Sequence, residues 1–320
     1  MKRDVVIAVD LGGTNLRLGV VSPSGRVLAG ARAKMGSYKR NADLLTDLYA
    51  AIADFEPEAS ARGRLRAVCL GFAGYTDSAR GLIYFAPNVG GLRNIRVGPY
   101  LKKRFNVPVF VENDANCAAL GEHYKGAGRN AGSLFMFTLG TGVGGGFIVD
   151  GKIWRGARGT AGEIGHTIVM VDGPLCSCGN RGCLETFASA TAIVKEYRRV
   201  RRSKGRGRVA PGTGARGKVT ARQVTDLARR GDRAATAAMK YAARGLGVGI
   251  ANIFNLLDPE LILIGGGVSR AGAVLLRPAI MEARKIVFPP LAPRLRVRRA
   301  VLGDDAALIG AARFAFEHLK

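Results

Sequence analysis

One histidine and three cysteines have the residue types and the spacing of a metal site. They are His166, Cys176, Cys178 and Cys183. One imidazole nitrogen and three thiolates complete the tetrahedral shell of a zinc ion and leave no position for a reacting water. The Cys-x-Cys spacing is tighter than in a zinc finger, and nearby glycines allow the chain to wrap an ion. The sequence therefore predicts a structural zinc site.

Two other uses of the cysteines fit less well. A disulfide is disfavoured in a cytosolic chain, and thiol redox chemistry usually shows Cys-x-x-Cys. The two remaining cysteines of the chain, Cys69 and Cys117, are predicted to be small apolar residues of the core.

A glutamate stands beside each end of this cluster. Glu163 belongs to "GTAGEIGH" (159–166), and Glu185 ends "CSCGNRGCLE" (176–185). A bound metal would hold the two carboxylates near each other. Carboxylates bind hydroxyl groups through short, charge-assisted hydrogen bonds. This pair therefore predicts a ligand rich in hydroxyls, such as a sugar.

A third polar group follows the apolar run "VPVFVEND" (107–114), which predicts a strand. In open α/β sheets, ligands bind at the carboxyl ends of the strands, so Asn113 and Asp114 are candidate ligand contacts. An aspartate there can take the proton of a hydroxyl whose oxygen attacks phosphorus. The alternative role of Asp114 is to cap the helix that follows.

Two glycine-rich turns have the composition of phosphate sites. "DLGGT" (10–14) and "TLGTG" (138–142) each join two predicted strands, and such turns offer backbone N–H groups to a polyphosphate. The alternative is a pair of ordinary hairpins. The letters of 140–145 match the dinucleotide fingerprint, but a strand follows where that fingerprint needs a helix, and no P-loop pattern occurs.

The elements that must position these residues alternate between strands and helices, which predicts an α/β fold. Apolar runs predict a three-stranded meander from residue 5, and strands at 65–74, 107–114, 133–154 (two strands), 260–269 and 294–301. Helical spacing predicts helices at 41–55, 115–124, 188–202, 220–230, 232–257, 275–284 and 305–318.

The formal net charge of +25 raises the question of a polyanionic partner. Residues 195–222 hold eleven Lys/Arg and one Glu, but no aromatic residue follows Tyr197, so no base-stacking surface is indicated. A solvated basic loop explains the run without a partner. The sequence shows neither a signal peptide nor an apolar run long enough for a membrane span, and a cytoplasmic protein is expected.

Taken together, the motifs resemble those of the ROK family of bacterial sugar kinases. The matching segments follow in order along nearly the whole chain: "DLGGTNLRLG", "FAPN", "VENDANCAALGE", "TLGTGVGGG", "GTAGEIGH", "CSCGNRGCLE" and "IGGGVS". The segment "LETFASATAIVKEY" is most similar to the glucokinase branch.

The resemblance implies an actin-like, ribonuclease-H-like fold of two lobes, with ATP and sugar in the cleft. The expected lobes are 1–114 plus 304–320, and 115–303 with the zinc site and a basic loop at 195–219. The basic stretch departs from the family pattern and leaves the local helices in question. A homodimer is the family-based expectation, with no specific nucleic acid and no membrane as partners.

The resemblance also implies roles for individual residues. Asp114 resembles the general base. The expected sugar contacts are Asn88, Asn113, Asp114, Glu163, His166 and Glu185. The expected phosphate and nucleotide contacts are Gly12, Thr14, Thr141, Gly142, Gly265 and Gly266. Asp10 is expected to hold Mg²⁺, directly or through water.

The implied reaction is phosphorylation of a hexose, D-glucose first, at the 6-hydroxyl by ATP. N-acetylglucosamine, N-acetylmannosamine or fructose as acceptor remain alternatives, as does polyphosphate as donor. A non-catalytic sugar-sensing regulator is less favoured, because a repressor of this family needs a DNA-binding domain and the first strand starts by Asp4.

Overall fold

The computed structural model describes residues 2–13, 15–203 and 219–319. Within these ranges the chain forms two compact units. Unit 1 comprises Met1–Leu134, Gly146–Gly162 and Val301–Lys320, and unit 2 comprises Phe135–Gly145 and Glu163–Ala300. The predicted lobe bounds place residues 115–134 with the second lobe, whereas these residues belong to unit 1. Most of the predicted basic loop, 204–218, lies outside the described residues.

The strands and helices alternate as an α/β fold requires, and that prediction is confirmed. The strands are β1 (Asp4–Leu11), β2 (Asn15–Val21), β3 (Val27–Lys34), β4 (Arg64–Phe72), β5 (Tyr75–Asp77), β6 (Leu82–Ala86), β7 (Leu92–Ile95), β8 (Val109–Asn113), β9 (Ser133–Leu139), β10 (Val143–Val149), β11 (Lys152–Ile153), β12 (Leu261–Gly265) and β13 (Val297–Arg299). The α-helices are α1 (Asn41–Arg62), α2 (Val97–Phe105), α3 (Asp114–Lys125), α4 (Glu185–Ala188), α5 (Ala190–Ser203), α6 (Ala221–Arg229), α7 (Arg233–Leu257), α8 (Ala273–Ile286) and α9 (Ala306–His318).

The main sheet of unit 1 has the strand order β3-β2-β1-β4-β8. β1, β2 and β3 form the predicted antiparallel meander, and β4 and β8 continue the sheet in parallel with β1. Leu11, Phe72 and Asn113 are in register across β1, β4 and β8. The carboxyl ends of these three strands therefore meet at one edge of the sheet.

Helices α3 and α9 pack together in unit 1 with their backbones in close approach. A Cβ added at Gly121 would collide with the Ala306 carbonyl, and one added at Gly310 would collide with the Cys117 carbonyl. Any side chain at either glycine would force the helices apart. Cys117 and Cys69 are fully buried in this unit, as predicted, and burial raises the pKa of both thiols far above its ordinary value.

A buried carboxylate holds the segment that precedes α9. Glu122 is fully buried, and its Oε1 accepts hydrogen bonds from the backbone N–H groups of Val301 (2.8 Å) and Leu302 (2.7 Å). Its Oε2 accepts from the N–H of Ala127 at 2.8 Å. Three backbone N–H groups thus supply the hydrogen bonds that water cannot give to the buried Glu122 carboxyl group.

A small antiparallel sheet, β5-β6-β7, and helix α2 also belong to unit 1 and were not predicted. The strands are three to five residues long, too short for a clear alternation of apolar and polar residues. Asn88 follows β6 in a 3-10 turn at Pro87–Val89.

Unit 2 contains the buried strand β12, the more exposed strand β13, which pairs with it in parallel, and helices α4 to α8. Long helix α7 packs on α8, and Gly247 allows a close approach because its Cβ would meet the Ala279 carbonyl. Among the described helices of both units, none has the length and the apolar character needed to cross a membrane.

Candidate active site

Asp10 lies at the carboxyl edge of the main sheet of unit 1, one residue before the end of β1. It is directly opposite Arg17 on β2, whose Nη1 is 3.8 Å from Asp10 Oδ2. Burial and the charge of Asp114 raise the pKa of Asp10 to about 7, and the charge of Arg17 opposes this increase. Two acidic side chains that disfavour each other's charge fit a divalent cation, because such an ion prefers carboxylate oxygens.

Arg17 has further partners that the sequence did not indicate. Its guanidinium donates to the backbone carbonyl of Asp304 and, at 3.1 Å, to Oδ1 of Asp305, just before α9. The side chain is therefore held from one side by residues far away in the sequence. This restraint keeps the positive charge beside Asp10.

Asn113 and Asp114 lie where β8 becomes α3. Asn113 is the N-cap: its Oδ1 accepts from the N–H groups of Ala115 (2.9 Å) and Asn116 (3.2 Å). Its Nδ2 donates one proton to the carbonyl of Gly74 at 3.2 Å. The capping role considered for Asp114 thus belongs chiefly to Asn113, and a sugar contact from Asn113 depends on its second amide proton.

Asp114 is the first residue of α3, where the helix dipole and the unpaired N–H groups favour negative charge. Its Oδ1 accepts from the N–H of Ala115 at 2.8 Å, which fixes the carboxylate at the strand–helix junction. Position and charge are those of a residue that accepts a proton from a bound hydroxyl.

A buried carboxylate directly before this pair was missed by the sequence reasoning. Glu112 is 1% exposed, and its Oε2 accepts from Arg155 at 2.7 Å and from Ser78 Oγ at 2.9 Å. Its Oε1 accepts from the N–H of Asn113 at 2.8 Å and from Asn116 Nδ2 at 3.0 Å. The only sequence signal for this role of Glu112 was its charge within the apolar run 107–114. Glu112 fixes the backbone that carries Asn113 and Asp114.

The glycine turn between β1 and β2 contacts Asn88. Gly13 has φ +92°, and a Cβ there would lie 3.3 Å from the Cβ of Asn88. Gly12 has open space where a side chain would stand, as a turn that admits a ligand requires. Thr14 lies outside the described residues.

The second glycine turn, in unit 2, is bound by Glu185. The N–H of Val143 donates to Glu185 Oε2 at 3.1 Å, and a Cβ on Gly142 would collide with the same oxygen. The other oxygen accepts from Ser177 Oγ at 3.4 Å, beside the cysteine cluster. Glu185 therefore joins the predicted phosphate turn, which includes Thr141, to the predicted metal site.

His166, Cys176, Cys178 and Cys183 come together as the sequence predicts. Their ligand atoms all lie within 4.8 Å of one another. Cys176 Sγ is 3.7 Å from His166 Nδ1, and Cys178 Sγ is 3.6 Å from Cys183 Sγ. Zinc–sulfur bonds of about 2.3 Å at tetrahedral angles place two sulfurs about 3.8 Å apart. The donor set and its spacing fit zinc.

The thiols differ in their affinity for protons. A hydrogen bond from the backbone of Asn180 lowers the pKa of Cys178 to about 7. Burial and the neighbouring thiols raise the pKa of Cys183 to about 12. At neutral pH, Cys178 therefore becomes a metal-binding thiolate more readily than Cys183.

Glu163 lies three residues before the predicted zinc ligand His166, whose backbone N–H donates to the Glu163 carbonyl at 3.1 Å. Burial raises the pKa of Glu163; His166 lowers it and Glu185 raises it. The two predicted sugar-binding glutamates are thus close enough for their charges to interact. Gly165, which directly precedes His166, packs against the Val143 carbonyl. A Cβ added at Gly165 would collide with this carbonyl.

The third glycine segment begins with Gly265, the last residue of β12. Gly266 has φ +79°, and a Cβ there would collide with the backbone of Leu139. Gly265 packs on Met136, since its Cβ would meet that side chain. The residues predicted for the nucleotide therefore lie against the strand that leads into the Thr141–Gly142 turn. Unit 1 thus gathers Asp10, Gly12, Asn88, Asn113 and Asp114, and unit 2 gathers the remaining described site residues.

Known proteins match this chain over most of its length. The glucokinase of Halalkalibacterium halodurans is 37% identical over 306 residues, which cover 95% of this chain and 92% of that protein. A ROK family glucokinase from Streptomyces griseus, solved with glucose and AMPPNP, has a TM-score of 0.83 and 34% identity, with 98% of this chain and 99% of that chain covered.

A ROK family transcriptional regulator, a homologue of the E. coli Mlc protein, has a TM-score of 0.86 and 27% identity. The match covers 98% of this chain and 78% of the regulator. The family model named ROK matches residues 6–318. The zinc cluster, the acidic strand edge and the glycine turns thus stand in the framework shared with these proteins, and the chain belongs to the ROK family.

Proposed function

We propose that this protein is an ATP-dependent glucokinase, which transfers the terminal phosphoryl group of ATP to the 6-hydroxyl of D-glucose. The observation that carries the proposal is the similarity to glucokinase relatives, at 35–37% identity over nearly the whole chain. The related structure from S. griseus holds both glucose and AMPPNP. Glucose is therefore the favoured acceptor.

Asp114 serves as the general base. The sugar O6 attacks the γ-phosphorus, an O6–P bond forms and the P–O bond to the β-phosphate breaks, so ADP leaves with the electron pair. The O6 proton passes to the Asp114 carboxylate. Support comes from its fixed position at the start of α3. A positioned base typically contributes about 10²–10⁴ in rate.

Amide, carboxylate and imidazole groups are proposed to bind the sugar hydroxyls. The proposed contacts are Asn88, Asn113, Glu163, His166 and Glu185. The raised pKa of Glu163 reflects its burial, and hydrogen bonds from sugar hydroxyls would replace the water it lacks. His166 has two ring nitrogens, so one can bind zinc while the other reaches a hydroxyl.

The donor phosphates are assigned to Gly12, Thr14, Thr141, Gly142, Gly265 and Gly266. Backbone N–H groups of such turns hold phosphate oxygens without large side chains in the way. Asp10 is the residue that would hold Mg²⁺, and the ion would neutralise charge on the phosphates. Arg17 beside Asp10 keeps the local charge balanced when the ion leaves.

Zinc has a structural role in this proposal. The two glutamates flank its ligands in the sequence, and Glu185 contacts both the cluster and the phosphate turn. A closed Cys₃His shell supplies no open coordination position, so it orders these loops and takes no part in proton or phosphoryl transfer.

The test is sugar-dependent ADP release with Mg-ATP and glucose, mannose, fructose, N-acetylglucosamine or N-acetylmannosamine, with a no-sugar control. We expect glucose to give the highest kcat/KM. Asp114→Asn should lower kcat at least about 100-fold while circular dichroism and bound zinc stay unchanged. A clear preference for an amino sugar would move the substrate, and ATP turnover that no sugar stimulates would refute the kinase. A homodimer and a cytoplasmic location stay predictions.

A further inference from the structure

The connection between β3 and α1 contains one buried residue among exposed neighbours. We call residues 36–40 the Tyr38 segment. Residues 36–37 and 39–40 are exposed, whereas Tyr38 is 6% exposed and belongs to the main hydrophobic core of unit 1. The buried aromatic ring therefore fastens an otherwise exposed segment to the core.

Two hydrogen bonds fix the Tyr38 hydroxyl. It donates to Asp47 Oδ2 on α1 at 2.8 Å and accepts from the N–H of Gly36 at 3.0 Å. Burial raises the pKa of Tyr38, the Gly36 N–H opposes this effect and the Asp47 carboxylate adds to it. The hydroxyl therefore keeps its proton at neutral pH. Its donor and one of its acceptor positions are both used, so the segment has a defined position relative to α1.

The backbone of Tyr38 packs against the turn that carries Asn88. Gly90 directly follows this 3-10 turn and has φ +90°. A Cβ added at Gly90 would collide with the Tyr38 carbonyl oxygen. Val89, between Asn88 and Gly90, is 1% exposed and belongs to the same hydrophobic core as Tyr38. The Tyr38 carbonyl therefore limits how closely this turn approaches the segment.

The glycine turn between β1 and β2 also contacts Asn88. A Cβ added at Gly13 would lie 3.3 Å from the Asn88 Cβ and 3.6 Å from the Asn88 carbonyl oxygen. The turn that carries Asn88 thus has close backbone contacts with two other segments. Because hydrogen bonds weaken steeply when distance and angle depart from their optimum, a small shift of this turn would weaken a bond from the Asn88 amide to a ligand.

We propose that Tyr38 is a positioning residue for the sugar acceptor, because it fixes the turn that presents Asn88. The inference rests on the proposed glucokinase function and on the sugar contact assigned there to Asn88. Tyr38 acts through Asn88 and takes no part in proton or phosphoryl transfer. A contact that binds the ground state and the transition state equally affects KM and leaves kcat unchanged. Displacement of the turn should therefore weaken glucose binding selectively.

The experiment compares Gly90→Ala with Gly91→Ala in steady-state kinetics with glucose and Mg-ATP. Both glycines have positive φ, +90° and +70°, so both variants introduce backbone strain, but a Cβ at Gly91 meets open space. Gly90→Ala should raise the KM for glucose about three- to tenfold, as expected for the loss of one hydrogen bond. Its kcat and its KM for ATP should stay within about twofold, and Gly91→Ala should leave all three values within about twofold.

A second pair of variants tests the side chain and decides the question if Gly90→Ala does not fold. Tyr38→Phe removes both hydrogen bonds of the hydroxyl and should raise the KM for glucose at least about twofold. Tyr84→Phe is the matched control, because Tyr84 Oη donates to Asp77 Oδ2 at 3.0 Å on the surface of the same unit. Asp47→Asn keeps an acceptor oxygen and should preserve the wild-type KM, whereas Asp47→Ala should behave as Tyr38→Phe does.

Trp154 fluorescence shows which variants are folded under the assay conditions. An unchanged KM for glucose in folded Gly90→Ala and Tyr38→Phe would overturn the inference and leave the glucokinase function standing. Equal increases in a variant and its control would also overturn it, since backbone strain or the loss of any surface hydrogen bond would then explain them. An equal increase in the KM for ATP would overturn the selective effect on the sugar. Absence of sugar-stimulated ATP turnover in the wild type would refute the glucokinase function together with this inference.

Discussion

The ion pair between Arg155 and Glu112, beside the junction of β8 and α3, leads to a quantitative prediction about the stability of unit 1. Arg155→Met removes the guanidinium that donates to Glu112 and keeps most of the apolar side chain near the ring of Phe314. Glu112, at 1% exposed, is then a buried carboxylate with three donors left. Breaking a buried pair costs about 3–5 kcal/mol. Because the Arg155 side chain is 29% exposed, water screens part of the interaction, and we expect about 2–3 kcal/mol.

The neighbouring Trp154 provides the assay. It is the only tryptophan of the chain, belongs to unit 1 and packs edge-on against Phe147. Because this single tryptophan lies in unit 1, its fluorescence reports the urea unfolding of unit 1 rather than that of unit 2. With an m-value of roughly 2 kcal/mol per M for a unit of this size, the urea midpoint should fall by about 1 M in Arg155→Met.

Two further variants complete a double-mutant cycle. Glu112→Gln removes the charge and keeps the shape, and the double variant has neither charge. Because an apolar or neutral replacement of both partners leaves no buried charge, the double variant should be less destabilised than the sum of the single variants by at least about 1 kcal/mol. A midpoint shift below about 0.2 M in Arg155→Met, or strict additivity, would refute the reasoning.

Three other variants or treatments test the site. Asn113→Ala should lower the free energy of unfolding of unit 1 by about 1–2 kcal/mol, since two helix N–H groups lose their acceptor; unchanged urea unfolding would contradict the cap. Gly142→Ala should raise the KM for glucose several-fold, because the new Cβ displaces the Glu185 carboxylate, whereas Gly140→Ala, which meets open space, should change it less; equal KM values would contradict this contact. After zinc removal by a chelator, iodoacetamide labelling of Cys178 should rise with pH around a midpoint of about 7, because the thiolate is the nucleophile; mass spectrometry that finds a midpoint above 9 would oppose the lowered pKa.

Local patterns predicted most of the regular elements. The helix predicted over 115–124 corresponds to α3, and that over 305–318 corresponds to α9. The helix predicted at 41–55 continues to Arg62 through Pro57. Proline usually ends a helix, but the buried Ala59 and the Arg62–Glu58 ion pair stabilise the next turn. Tertiary packing therefore sets the end of α1, which helix propensity alone did not predict.

The candidate site was predictable where its residues belong to contiguous motifs. The zinc ligands lie within eighteen residues of one another, and their types alone predict the metal. The supports of the site were not predictable in this way. Arg155 reaches Glu112 from 43 positions away, and Arg17 reaches Asp305 from 288 positions away. A single sequence carries no signal for such pairs, because each partner alone resembles a surface charge.

The discontinuity of unit 1 has a consequence for its synthesis. Ribosomes add about 5–20 residues per second, so residues 1–134 emerge roughly 8 to 35 seconds before residues 301–320. During that interval the groove that receives α9 is open, and Glu122 has no Val301 or Leu302 to bind. Unit 2, whose segments end at Ala300, is available for folding first. The unit that carries Asp114, the proposed general base, is therefore the one that a nascent chain must keep from aggregating until α9 arrives.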